Sequence, residues 1–176
     1  MRKFASLARE GLISVLRANL PTIADSLGLP APQTITYHPS QLPFGPYNAG
    51  QLPAVVVVPE RSELEPETGG NTHYVGEVHD FTVHVGFLFP REALAGPVAW
   101  GEKAVELQEK WVQAVEEVIR QNRGLGLGPE YQCFAFVREH NYSSLELWQD
   151  ALERSLLNSL LAVSLALRVS VLEVAS

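Results

Sequence analysis

A strict alternation of side chains constrains the fold of this chain more than any other feature of its sequence. In residues 81–89 every odd position is large and apolar, and Pro90 ends the stretch. A period of two is that of a strand with one buried face, because successive side chains of a strand point to opposite sides of the sheet. The same period returns in residues 163–171. The sequence therefore predicts two such strands in a sheet that buries one face.

Shorter apolar runs complete the predicted sheet. Residues 34–37 alternate briefly, four valines follow Ala54, and residues 131–137 are rich in apolar and aromatic side chains. Branching at Cβ and aromatic rings suit a pleated, buried surface, so we expect a strand in each of these runs. The polar residues 138–144 are expected to form a turn after the last of them.

Two segments have the spacing of amphipathic helices. In the first, apolar residues recur at steps of three and four from Phe4 to Leu16, and we expect Pro21 to interrupt or end this helix. A short continuation through Ile23 and Leu27 is expected to stop at Gly28 and Pro30. The second covers residues 101–122, which Gly124 and its neighbours cannot continue. Residues 145–156 fit a third helix, because their apolar positions recur at helical spacing and a serine precedes them as a cap.

The order of these elements predicts one α+β domain over residues 1–176, a small, mostly antiparallel β-sheet with helices packed on one face. The composition agrees with a folded chain, since 46% of the residues are hydrophobic and 19% are charged. The apolar-rich uncharged run of residues 155–167 has 13 residues and includes an asparagine and three serines, whereas a membrane span needs about 20 apolar residues. We therefore expect no membrane association.

Two long loops are predicted. Residues 39–53 contain four prolines and two glycines, so neither a helix nor a ladder strand persists there. Residues 59–72 form an acidic loop. Between residues 59 and 80 there are six acidic residues and one basic residue, which account for −5 of the net charge of −7. This charge disfavours nucleic-acid binding over a broad basic face.

Side chains that could carry chemistry are few. Cys133 is the single cysteine, which excludes disulfides within the chain and multi-thiolate metal sites, and its apolar strand predicts an inert buried thiol. His73, Glu77 and His79 share one face of an extended segment, where they would bind a divalent metal or remain solvated edge residues. His84 lies on the more polar face of its strand, as a surface or interface residue. We expect no enzymatic activity and no cofactor.

The order of elements resembles the tail terminator, or tail completion, proteins of long-tailed bacteriophages. The resemblance rests on the N-terminal helix, the valine strand, the acidic loop, the long strand, the second helix and the last strand, and no residue motif accompanies it. It implies a structural virion protein, assembled in the host cytoplasm into a homo-oligomeric ring, usually a hexamer. Such a ring caps the tail-tube protein, joins it to the head-side connector and lets DNA pass without specific binding.

Two segments have an expected role in such a ring, the acidic loop through the resemblance and the loop 39–53, which has no placed counterpart in the family, because a long proline-rich arm is poorly used in a monomer. The acidic loop, with Glu60, Glu63, Glu65 and Glu67, would line the channel or form a charged docking face, unless it is merely solvated. The loop 39–53 would contact a neighbouring subunit through Phe44 and Tyr47. Two alternatives stay open: another head–tail connector or minor tail protein, and a metal-binding or small-molecule-binding α+β domain.

Overall fold

A computed structural model describes residues 3–39, 42, 44–64, 75–89, 97–142, 148 and 160–174. The elements in chain order are α1 (Lys3–Ser26), β1 (Thr34–Tyr37), a short 3-10 turn (Ala49–Gln51), β2 (Ala54–Leu64), β3 (Val75–Leu88), α2 (Pro97–Gln121), β4 (Tyr131–Asn141) and β5 (Leu160–Glu173). The predicted class is confirmed: the chain is an α+β protein with helices packed on a mostly antiparallel sheet.

The five strands form one sheet in the order β1-β2-β3-β5-β4. Only the pairing of β1 with β2 is parallel, and the other three pairings are antiparallel. β3 and β5 are both 14 residues long and pair along their whole length, so they form the centre of the sheet. β4 is the outermost strand on one side of the sheet. On the other side, β1 is outermost where it pairs with β2, and β2 is outermost where it extends past the end of β1.

One face of the sheet packs on both helices, as the alternation predicts. The odd-numbered side chains of β3 and β5, and those of β2 up to Val57, join the apolar faces of α1 and α2 in one core that includes Leu12, Leu16 and Trp111. We call this the helix face and the opposite side the outer face. The even-numbered side chains lie on the outer face, where residues of the loop 39–53 and Trp148 cover the end near His84 and Gly86.

Helix α1 corrects one prediction, because it continues through Pro21 to Ser26. Proline inside a helix removes a hydrogen bond and costs about 3 kcal/mol. Leu20 and Ala24 are fully buried on either side of it, and their burial in the core offsets that cost. Tertiary packing therefore overrides the local helix-breaking signal.

Strands β2 and β4 are longer than predicted. β2 pairs with β3 as far as Leu64, with a bulge between Pro59 and Arg61, so the predicted loop 59–72 is wrong over its first residues. β4 continues to Asn141 with a bulge after Val137, where a turn was predicted. In both cases a neighbouring strand rich in apolar residues provides the backbone hydrogen-bond partners, and the polar side chains remain at the outside of the sheet. The predicted third helix lies outside the described residues except for Trp148.

Candidate functional site

The acidic segment begins on a strand. Glu60 and Glu63 are exposed on β2, and the carboxylate of Glu63 lies 2.7 Å from the guanidinium of Arg61. Glu65 and Glu67 lie outside the described residues. Glu60 and Glu63 therefore form a charged surface, although on a strand and not in a loop. Whether they line a channel or bind a partner stays a prediction.

A network of charged side chains centred on Asp80 crosses the outer face. Arg168 donates two hydrogen bonds to Asp80, of 2.8 and 3.1 Å. Arg61 and Arg138 approach the same carboxylate at 3.6 and 3.7 Å. The hydrogen bond from Arg168 and the charges of the three arginines hold the pKa of Asp80 below its usual value. The network joins β2, β3, β5 and β4.

Sequence reasoning missed this network, although a signal was present. Asp80 and Arg168 occupy even positions of strands whose odd positions are apolar, which places both on the polar face. The antiparallel register of β3 and β5, in which these two residues are direct partners, was needed to bring them together.

Phe44 is used inside its own chain, which corrects the prediction that it contacts a neighbouring subunit. Its side chain is 1% exposed, and its ring lies 5.2 Å from His84 and 5.0 Å from Trp148 in edge-on geometry. Tyr47 is half-buried, with its ring 5.9 Å from Trp148, and burial raises the pKa of its hydroxyl. The loop therefore folds back over the outer face.

His84 is buried, so the prediction of a surface or interface histidine is wrong. It is 5% exposed beneath Phe44, and burial lowers the pKa of its imidazole to about 4. The polar face of β3 is covered at this point because the proline-rich loop packs on it. The alternation alone could not reveal that cover.

Glu77 and His79 form a buried pair on the helix face. Both are under 5% exposed, and the carboxylate oxygen Oε2 of Glu77 lies 3.1 Å from Nε2 of His79. The prediction that they share a face is confirmed, and His73 lies outside the described residues. Within the described ranges no group of three His, Cys, Asp or Glu side chains could hold a metal ion.

Cys133 is partly buried on β4. Burial raises the pKa of its thiol to about 11, so at neutral pH it is protonated and unreactive as a nucleophile. This agrees with the predicted inert thiol.

The outward backbone groups of the outermost strands β1 and β4 have different hydrogen-bond partners. At β1, the guanidinium of Arg17 donates two hydrogen bonds, of 3.1 and 2.8 Å, to the carbonyl of Ile35, and so covers the outer backbone of this strand. On the other side, the amide of Ala135 in β4 donates to the carbonyl of Arg123. Beyond that bond, a pocket of about 250 Å³ separates α2 from residues Ala135, Phe136 and Val137.

No protein-family model matches the sequence, and no curated protein matches it. Among the described residues, no helix is long and apolar enough to cross a membrane.

Proposed function

We propose that this chain is a structural virion subunit, a tail terminator that assembles into a homo-oligomeric ring, caps the tail tube and joins it to the head-side connector. The observation that carries the proposal is that, within the part of the chain that the structure describes, β4 has no strand on its outer side. This outermost strand has 11 residues, and Phe134 on its outer face is 48% exposed. Long outer strands and exposed aromatic rings are surfaces that proteins bury by association.

The finer part of the proposal comes from the resemblance in the order of elements. It supplies a ring of six subunits, the tail tube and the connector as partners, and the virion as the location. The net charge of −7 suits a channel that DNA crosses without adhering, because like charges repel. The role is mechanical, with no catalysis and no cofactor.

Two measurements test the proposal. Native mass spectrometry of the purified chain should show a closed oligomer. In a mixing assay, that oligomer should arrest polymerisation of a tail-tube protein. A ring that leaves tube growth unchanged would instead identify another head–tail connector or minor tail protein, and a monomer under all conditions would refute both roles.

The acidic segment gives a second test of the same role. Replacing Glu63, Glu65 and Glu67 with glutamine removes three negative charges. We expect folding to remain intact, because Glu63 is exposed on β2 and an exposed carboxylate contributes little stability. Ring assembly or DNA passage should be impaired. Unchanged infectivity with the triple variant would assign the segment to solubility.

The buried Glu77–His79 pair favours one other function, that of a metal-binding or small-molecule-binding domain. A carboxylate and an imidazole 3.1 Å apart are suitable ligands for a divalent metal. Metal analysis of the purified protein should then show stoichiometric metal that is lost in His79→Ala. Protein that carries no metal after purification and after incubation with zinc would rule this function out.

A further inference from the structure

We propose that neighbouring copies join through the two opposite edges of the sheet, so that β4 of one copy adds to β2 of the next. The β2 edge is the part of β2 from residue 58 to residue 64, with Glu60 and Glu63. The β4 edge is the part of β4 from residue 136 to residue 141, together with Arg123, whose carbonyl already accepts a hydrogen bond from the amide of Ala135. This inference rests on the proposed self-assembly and names the surfaces that carry it.

The two edges lie at opposite ends of the sheet. β1 pairs with β2 only from Ala54 to Val57, so from Val58 onward β2 is the outermost described strand on its side. β4 is the outermost described strand on the other side. Contact between unlike edges is heterologous, and repeated contacts of this kind produce a ring or a filament.

The strand directions suit this contact. β2 is antiparallel to β3, β3 to β5, and β5 to β4, so β2 and β4 of one copy run in opposite directions. A rotation about an axis roughly along the strands preserves each direction. The β2 edge of the next copy therefore meets the β4 edge as an antiparallel neighbour, the more stable form of pairing.

β1 does not offer an equivalent edge. Its outward carbonyl at Ile35 already accepts two hydrogen bonds from Arg17. It also has only four residues, against the 11 of β4. The chain thus leaves the β2 edge as the matching surface for β4.

The charges of the two edges are complementary. On the β2 edge, Glu60 and Glu63 outnumber Arg61, and the chain continues directly into further acidic residues. On the β4 edge, Arg123 and Arg138 outnumber Glu139. In the adjoining pocket, Glu117 of α2 pairs with Arg120, and Glu116 lies 3.5 Å from His140. Each edge repels a second copy of itself and attracts the other, so charge selects the head-to-tail contact over a symmetric one.

Each edge is also bordered by space for incoming side chains. A pocket of about 250 Å³ lies between α2 and the β4 edge, with Ile119 and Arg123 in its wall. A second pocket of about 210 Å³ lies between Arg9 of α1 and the β2 edge. Neither helix therefore blocks the approach of a strand to the edge beside it.

A charge-swap experiment tests the proposal on the purified full chain. Variant A carries Glu60→Lys and Glu63→Lys, and variant B carries Arg123→Glu and Arg138→Glu. In A both edges are basic and in B both are acidic, so each variant alone should need about tenfold or more protein for half-maximal assembly. A 1:1 mixture of A and B should restore assembly, because every contact again joins opposite charges.

Matched controls carry equal charge changes away from the edges. Glu102→Lys with Glu109→Lys is the control for A, and Lys103→Glu with Lys110→Glu is the control for B. All four residues lie on α2. The controls should assemble like the unmodified chain, and circular dichroism should show native folding for every variant.

The outcomes separate this inference from the proposed function. If the unmodified chain forms a ring and A and B form it equally well, or if the mixture fails to restore it, the edge pairing is wrong while the ring stands. Impaired assembly of B with normal assembly of A would indicate a symmetric β4 contact and would also overturn the proposal. A chain that stays monomeric refutes both.

Discussion

Phe44→Ala should destabilise the subunit itself, because its ring is buried within its own chain. The side chain is 1% exposed and contacts His84 and Trp148. Truncation removes roughly 130 Å² of buried apolar surface, or about 3 kcal/mol at 25 cal/mol per Å², and the residual cavity adds to this. For a chain of this length each kcal/mol lowers Tm by about 2–4 °C, so we expect a fall of about 10 °C.

The assay is thermal unfolding followed by circular dichroism, at a protein concentration below that of assembly. Leu42→Ala is the matched control, since Leu42 lies in the same loop and is 56% exposed. It should change the unfolding free energy by no more than about 0.5 kcal/mol. If Phe44→Ala leaves Tm within 2 °C of the control but abolishes assembly, the ring of Phe44 serves the interface and the packing argument is refuted.

Two further predictions concern the same end of the outer face. Gly86→Ala should destabilise the fold by about 1–3 kcal/mol, because the added Cβ would lie 2.7 Å from the ring of Trp148. Denaturant unfolding measures this loss. Gly101→Ala is the control, because Gly101 has open space around it, and it should not destabilise the fold. Burial lowers the pKa of His84 to about 4, so the folded state favours the neutral ring and stability falls as the pH drops from about 6.5 to 4, by roughly 3 kcal/mol. His84→Phe should flatten this part of the pH profile, and an equal decline in the variant would disprove the assignment.

The sequence predicted the elements whose side-chain period is strong. The alternation in residues 81–89 and 163–171 located the two central strands, because a buried face leaves a clear period of two. The amphipathic pattern located both described helices. The break expected at Pro21 was wrong, since the burial of Leu20 and Ala24 is a tertiary effect that Pro21 conceals, whereas the expected stop at Gly28 agrees with the end of α1 at Ser26.

Edge strands were harder to predict than central ones. The ends of β2 and β4 carry charged residues, a composition that predicts a loop, yet both ends pair with a central strand. Their hydrogen bonds come from the neighbouring strand, which local sequence does not reveal. The parallel pairing of β1 with β2 was also not predicted.

The candidate site was predictable only in part. The shared face of Glu77 and His79 followed from their spacing, because side chains two apart on a strand lie side by side. The Asp80–Arg168 pair depended on register, and the burial of His84 depended on how the loop 39–53 folds back. Contacts between distant segments are set by topology, which the periodicity of a single element does not contain.

The mass of the unmodified chain in native mass spectrometry, alone and with a tail-tube protein, tests the central claim most directly. The account predicts one closed oligomer with a defined number of subunits, six by the resemblance, which arrests tube growth. A monomer at every concentration, with and without the tube protein, would contradict it.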